Sequence, residues 1–104
     1  MDPVTEPVYF IAQIETEDLS RYRAEYGKRV LPLIAEHGGL LLVGSDQAET
    51  LEGTWSANWT VVIRFPDRDA ALAWYGSAAY APLKRARIET LANGGNLVLV
   101  PGRA

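Results

Sequence analysis

From Val8 to Glu15 apolar residues fill both alternating sets, Tyr9, Ile11 and Gln13 on one side and Val8, Phe10, Ala12 and Ile14 on the other. A period of two marks a strand, and its largely apolar character on both sides implies that both are covered. After Glu15-Thr16-Glu17 the period changes. Leu19, Tyr22, Tyr26, Val30, Leu33 and Ile34 recur at spacings of three and four, the stripe of an amphipathic helix, with Asp18 placed as its N-cap. Pro32 lies inside this run and is expected to kink or loosen it, having no N–H for the carbonyl of Lys28. His37-Gly38-Gly39 closes the helix, with Gly38 suited to the left-handed terminal conformation.

Leu40-Leu41-Leu42-Val43 reads as the second strand. A polar segment from Asp46 to Gly53 follows, and Thr54 to Asn58 reverses the chain into a third strand, Trp59 to Phe65, stopped by Pro66. Asp67 caps a second helix, whose inner face is Ala70, Ala71, Trp74 and Tyr75 and which breaks at Gly76-Ser77. A further short helix is expected from about Ala79 to Leu91, carrying Tyr80, Leu83 and Arg87, with Pro82 tolerated in its first turn. Asn93-Gly94-Gly95-Asn96 is a turn signal, and Leu97 to Val100 is a fourth strand ended by Pro101.

The order βαββαβ predicts an α+β, ferredoxin-like domain, an antiparallel four-stranded sheet with its helices on one face. Its expected bounds are a leader over 1–7, a single domain over 8–101 and a tail over 102–104. Whichever face the helices take, the other draws on sets such as Tyr9, Ile11, Gln13 or Thr60, Val62, Arg64, with alternate members of Leu40 to Val43 and Leu97 to Val100. That face is mostly apolar and too large to stay in water on a monomer, so a second copy is expected to cover it in a face-to-face homodimer.

Composition narrows the partners. The 104 residues suffice for one core, and 48% hydrophobic with 22% charged residues is ordinary for a soluble globular chain. A net charge of −3 lacks the basic surface that phosphate binding needs, which argues against nucleic acid. Cysteine is absent, so there is no disulfide, thiolate nucleophile or zinc-thiolate site. No apolar run of about 18 residues exists to cross a membrane, and the acidic, proline-bearing start is unlike a signal peptide, so the expected location is cytoplasmic.

The segments Tyr9-Phe10-Ile11-Ala12-Gln13-Ile14, Leu33 to Gly39, Leu51-Glu52-Gly53-Thr54-Trp55, Val61 to Pro66 and Ala70 to Tyr80, taken in order, resemble the uncharacterised family called domain of unknown function 1330. The resemblance covers nearly all of Val8 to Val100. It implies membership of the dimeric α/β-barrel superfamily, in which two ferredoxin-like subunits bring their sheets together to form a barrel. The relatives it implies include cofactor-free antibiotic-biosynthesis monooxygenases, muconolactone isomerase, stress-responsive barrel proteins and dye-decolorising haem peroxidases. Such a range sets an expectation of a small-molecule cavity between sheet and helices without selecting a reaction. The chain departs from the family pattern at Arg64, where an acidic residue is common, and at Asn58-Trp59, which is more aromatic than usual.

His37 is the only histidine and the only side chain whose ordinary pKa suits proton shuttling near neutrality; it is equally placed to bond free carbonyls at the helix end. Gln13 and Arg64 are polar residues in strands that read as buried, and each needs a partner: one another, the dimer mate or a ligand. A guanidinium inside a barrel could anchor a carboxylate or enolate. Tyr9, Tyr22, Tyr26, Trp59, Trp74, Tyr75 and Tyr80 serve either as core or as walls for a flat organic ligand. Lys84, Arg85 and Arg87 suit a solvated helix end favoured by the macrodipole, and Arg87 alone matches an arginine of the resembled family. The glycine pairs lack phosphate-loop spacing, no serine sits in a nucleophile elbow, and no His/Asp/Glu cluster has metal spacing.

These readings converge on a homodimer with a small, mostly apolar pocket in each subunit, bordered by Tyr9, Gln13, Tyr22, His37, Arg64 and Trp74, with Arg87 nearby. As an enzyme it would need no cofactor and no metal. His37 would move a proton and Arg64 steady negative charge during proton transfer or oxygenation of a small aromatic or carbonyl compound. The alternative is a ligand-binding or structural dimer without catalysis.

Overall fold

The computed structural model describes residues 6–103, so most of the expected leader and the last residue of the expected tail lie outside the described residues. Strands β1 (Val8–Glu15), β2 (Leu40–Ser45), β3 (Trp59–Phe65) and β4 (Gly94–Pro101) form one antiparallel sheet in the order β2-β3-β1-β4. Helix α1 covers 19–36, α2 is Arg68–Tyr75 and α3 covers 81–91. This is the ferredoxin-like α+β arrangement, with the two central strands β1 and β3 contributed by the two βα units.

Both helix starts follow from capping. The Asp18 carboxylate accepts from the Arg21 N–H, and Asp67 accepts from Ala70 N–H at 2.7 Å, each satisfying a free amide of the first turn. The α1 end is a Schellman motif, with Gly39 N–H donating to Ile34 O at 2.9 Å, Gly38 N–H to Ala35 O at 3.0 Å, and Gly38 at φ +78°.

Neither α1 nor α3 is α-helical throughout. Buried Tyr22, Tyr26, Val30 and Ile34 are spaced by four, a stripe that drifts by about 40° per step around a helix of 3.6 residues per turn. Under-winding absorbs drift, and a π-helical turn at Arg23–Gly27 does so between the α-helical stretches Leu19–Tyr22 and Lys28–Glu36. The same device recurs in α3, where Ala81–Ala86 passes into the π-helical Arg87–Leu91 and Ala92 N–H donates to Arg87 O at 3.0 Å. Pro32 lies within the α-helical stretch Lys28–Glu36, so the irregularity of α1 sits upstream of it, under the tyrosines.

Two strand bounds differ from the sequence reading. β2 continues to Ser45 past a bulge between Leu41 and Val43. The expected turn at Asn93 to Asn96 is instead mostly strand, with Gly94 and Gly95 paired to Glu15 and Ile14. Gly95 takes φ +150°, and a Cβ there would lie 2.2 Å from the Gln13 carbonyl oxygen, so this pairing admits only glycine.

The core forms where Val8, Phe10, Ala12 and Ile14 of β1 and Ile63 and Phe65 of β3 meet the helices. Trp74 anchors it, edge-on to Phe10 at 5.2 Å, stacked on Phe65 at 5.6 Å and tilted over Tyr80 at 4.5 Å. The other sheet face carries no helix. Register arranges it in three rows: Leu40, Arg64, Tyr9 and Val100; then Val43, Val62, Ile11 and Val98; then Ser45, Thr60, Gln13 and Asn96. The middle row is wholly aliphatic, and Val98 at its end is 51% exposed.

Candidate functional site: a cavity between the first helix and the sheet

On the helix face the register also makes rows. Leu41, Ile63, Phe10 and Leu99 form one, and Gly44, Val61, Ala12 and Leu97 form the next. The second row has the small side chains Gly44 and Ala12 where its neighbour has Leu41 and Phe10; the Trp59 ring packs against Gly44, and α1 passes over the rest of the row. A cavity of about 190 Å³ results, and all four members of the small row line it.

Its floor is buried aromatic and apolar surface: Ile14, Tyr22, Tyr26, Ile34 and Trp74. Its mouth is edged by exposed Arg23, Lys28, Leu31 and Leu41, with the Arg23 guanidinium 5.3 Å from the ring centre of Trp59. Both π-helical turns reach it, α1 through Arg23, Tyr26 and Gly27 and α3 through Arg87.

Arg87 is the chemically distinctive wall. It is only 6% exposed, it makes no ion pair among the described residues, and its Nε has no hydrogen-bond partner. Trp74 Nε1, fully buried in the same wall, is also without an acceptor. Beside them the phenol oxygens of Tyr26 and Tyr80 are hydrogen-bonded to each other. Burial works against the Arg87 charge, yet charge interactions with Tyr80 and Tyr26, a hydrogen bond to Tyr80 and a charge interaction with Tyr22 outweigh it and raise its pKa above the ordinary arginine value. Burial likewise raises the pKa of Tyr22, against the pull of Arg87, and that of Tyr26, with Tyr80 adding to it. The wall therefore holds the Arg87 cation beside the Tyr22 and Tyr26 phenols, which burial keeps protonated.

The expected pocket border divides. Tyr22, Trp74 and Arg87 line the cavity. Tyr9, Gln13 and Arg64 stand on the opposite sheet face, Tyr9 directly across from Arg64 in the ladder and Gln13 within 3.4 Å of the Asn96 amide. Arg64 is exposed rather than buried, because alternation along β3 puts Ile63 and Phe65 against the helices and turns Arg64 outward. His37 lies at the α1 end with Nδ1 2.9 Å from Leu33 O, the helix-closing position, and is absent from the cavity wall. His37 and Arg64 thus share no cavity within one chain.

Arg23, Lys28 and the small row Gly44 and Ala12 were not singled out from sequence. Their signal was present only in the register, since a glycine or alanine reveals a vacancy once its cross-strand neighbours are known. Among the described residues no group of His, Asp and Glu is placed to hold a metal, and no helix is long and apolar enough to cross a membrane.

The fold and this cavity define a ferredoxin-like α+β protein with a hollow between its first helix and its sheet. The chain belongs to the family described as Domain of unknown function (DUF1330), whose model matches residues 7–103. No curated protein matches it. Among solved structures it is similar to the RPA0582 protein of unknown function from Rhodopseudomonas palustris, at 13% identity over 96% of this chain and 85% of that one, with a TM-score of 0.76. It is similar to SnoaB, a cofactor-independent oxygenase from Streptomyces nogalater, at 14% identity over 95% of each chain with a TM-score of 0.70. A dimeric ferredoxin-like protein of unknown function from Thermobifida fusca aligns at 12% identity over 93% of this chain and 92% of that one, with a TM-score of 0.56. At these identities the likeness is one of fold.

Proposed function

We propose that this protein is a homodimer, joined through the helix-free sheet face, that binds one small organic molecule in the sheet–helix cavity of each protomer. The observation that carries the reading is the cavity itself. A fold this small rarely leaves a hollow of about 190 Å³ beside fully buried aromatics, because an unfilled void forfeits packing energy at each wall atom. The volume lies below the roughly 300–1,000 Å³ of pockets for drug-sized ligands, which suits a single-ring compound. Dimerisation is supported by the aliphatic row Val43, Val62, Ile11 and Val98 on the open face, and by the dimeric neighbour of the same fold.

The test is a titration of the protein with single-ring phenols, aryl acids and their neutral analogues, followed by indole N–H resonances. Trp74 and Trp59 line the cavity and Trp55 does not, so binding there shifts the first two and leaves the third. A panel that moves none of them overturns the reading.

A second reading, cofactor-free oxygenation, is favoured by the likeness to the SnoaB fold. The cavity wall contains no His, Asp or Glu, and the raised pKa values of Tyr22 and Tyr26 keep their phenols protonated, so neither offers a free base near neutral pH. His37 and Arg64 could join such chemistry only across a dimer. Within one protomer, a substrate of this cavity would have to arrive already ionised and electron-rich. Oxygen consumption with a bound, ionised phenol is the measurement that separates enzyme from binder.

A further inference from the structure

We infer that the ligand of this cavity is a small aromatic monocarboxylate whose carboxylate seats against Arg87. The inference rests on the ligand-binding reading above and adds the ligand's charge and chemical class.

Three observations converge on it. First, the wall carries unpartnered donors in excess. Arg87 Nε and Trp74 Nε1 are both buried and both lack an acceptor, and a buried donor left unpaired costs about 1–3 kcal/mol. Both side chains line the cavity, so an acceptor there relieves the cost once the Arg87 guanidinium turns toward it, whereas a ligand bearing only donors does not. Second, the charge of the wall runs against that of the chain. The protein has a net charge of −3, yet Arg23, Lys28 and Arg87 all line the cavity and no Asp or Glu does. None of these cations makes an ion pair among the described residues, where the pair between Arg21 and Glu25 stands apart on the outer surface of α1. Cations at the mouth steer an anion inward, and the buried guanidinium offers it charge-assisted hydrogen bonds in a poorly solvated site.

Third, everything else about the hollow is apolar and flat. Phe10, Val61, Ile63 and Leu97 line it together with the aromatic rings of Tyr22 and Trp74. An inorganic anion would gain nothing from these walls, and a second carboxylate held among them, away from Arg23 and Lys28 at the mouth, would be buried without a partner. A ring bearing one carboxylate matches both ends. The guanidinium supplies a charged donor for the acid, and the ring lies among the apolar walls above Ala12.

The experiment uses the intact protein with benzoate and benzamide, then cinnamate and cinnamamide, read by calorimetry and by the ¹⁵N shift of Arg87 Nε. Carboxylates are expected to bind roughly tenfold or more tighter than their amides. They should also shift the Arg87 Nε resonance and lose affinity as salt is raised. Arg87→Met should bring acid and amide to similar affinity, and Arg87→Lys should retain part of the preference. Amides binding as tightly as acids in the unaltered protein would overturn the carboxylate assignment while leaving the ligand-binding reading intact. Binding of neither class would remove both. The acid–amide comparison and the Arg87 resonance need no variant, so a failure of Arg87→Met to fold leaves the test standing.

Discussion

Asn58 extends the β1–β3 ladder with its side chain: Asn58 Oδ1 accepts from Thr16 N–H at 2.9 Å, and Asn58 Nδ2 donates to Thr16 O at 2.8 Å. The amide imitates a paired strand residue just beyond the last backbone pair, Ile14 with Trp59. Thr16 in turn donates from its hydroxyl to Leu91 O at 2.7 Å, which holds the end of the π-helical turn that begins at Arg87. A loop residue of the β2–β3 connection is thereby coupled to the wall of the cavity. Replacing Asn58 with Ala removes both bonds and strands two backbone groups, at an expected cost of about 1–3 kcal/mol. Chemical denaturation with an unchanged m-value is the check, and an unaltered midpoint would show that water replaces the amide without loss.

Ala12→Leu should close the cavity from its floor. Ala12 belongs to the small row beneath the hollow, so added carbons grow into empty space rather than into packed neighbours. Stability is expected to stay within about 1.5 kcal/mol of the original, while affinity for any cavity ligand falls at least roughly tenfold. Thermal melting and calorimetry on one sample would check both parts. A loss of several kcal/mol would mean that the hollow is smaller in solution than its walls imply.

Val62→Glu should dissociate the proposed homodimer. Val62 stands between Val43 and Ile11 in the aliphatic row, and a two-fold interface brings the centre of that row near its own copy. Two carboxylates would then approach each other out of water, which the interface cannot offset. Light scattering should report a single chain for the variant and two for the original. A dimer that survives the change would move the interface elsewhere.

At alkaline pH the tyrosine wall becomes a source of instability. Tyr22 and Tyr26 have folded pKa values raised above the ordinary value of 10.0, chiefly by burial. A group with a raised pKa stabilises the fold fully below its unfolded pKa. Between the unfolded and folded values the unfolded chain has released protons that the folded chain still holds, so stability falls as pH rises through that window. Tyrosinate absorbance should therefore show two phenols that ionise only together with unfolding. Reversible ionisation of every tyrosine near its ordinary value, without loss of structure, would contradict their burial.

Much of the architecture is local and was legible in the residue order. Asp18 and Asp67 start helices because a carboxylate there reaches a free amide, Gly38 ends one because it accepts a positive φ, and alternation along Val8 to Glu15 separates two faces. Those properties depend on a few neighbours in the chain, which is why the βαββαβ order and the two-sided character of β1 could be read directly. The greasy, helix-free face was legible as well, although which set of residues occupied it was left open.

The tertiary structure decided which side chains meet at the cavity. Gln13 and Arg64 were candidates for a pocket because polar residues in strands stand out, but the sheet turned them to the face away from the helices. Arg87 read either as part of a solvated basic helix end beside Lys84 and Arg85 or, through the family resemblance, as a ligand-binding candidate; the structure buries it in the cavity wall at the start of a π-helical turn. The hollow arises because register across three strands aligns Gly44, Val61 and Ala12. A vacancy is a relation among residues distant in the chain, so its position waits on the pairing of strands and the winding of the helices above them.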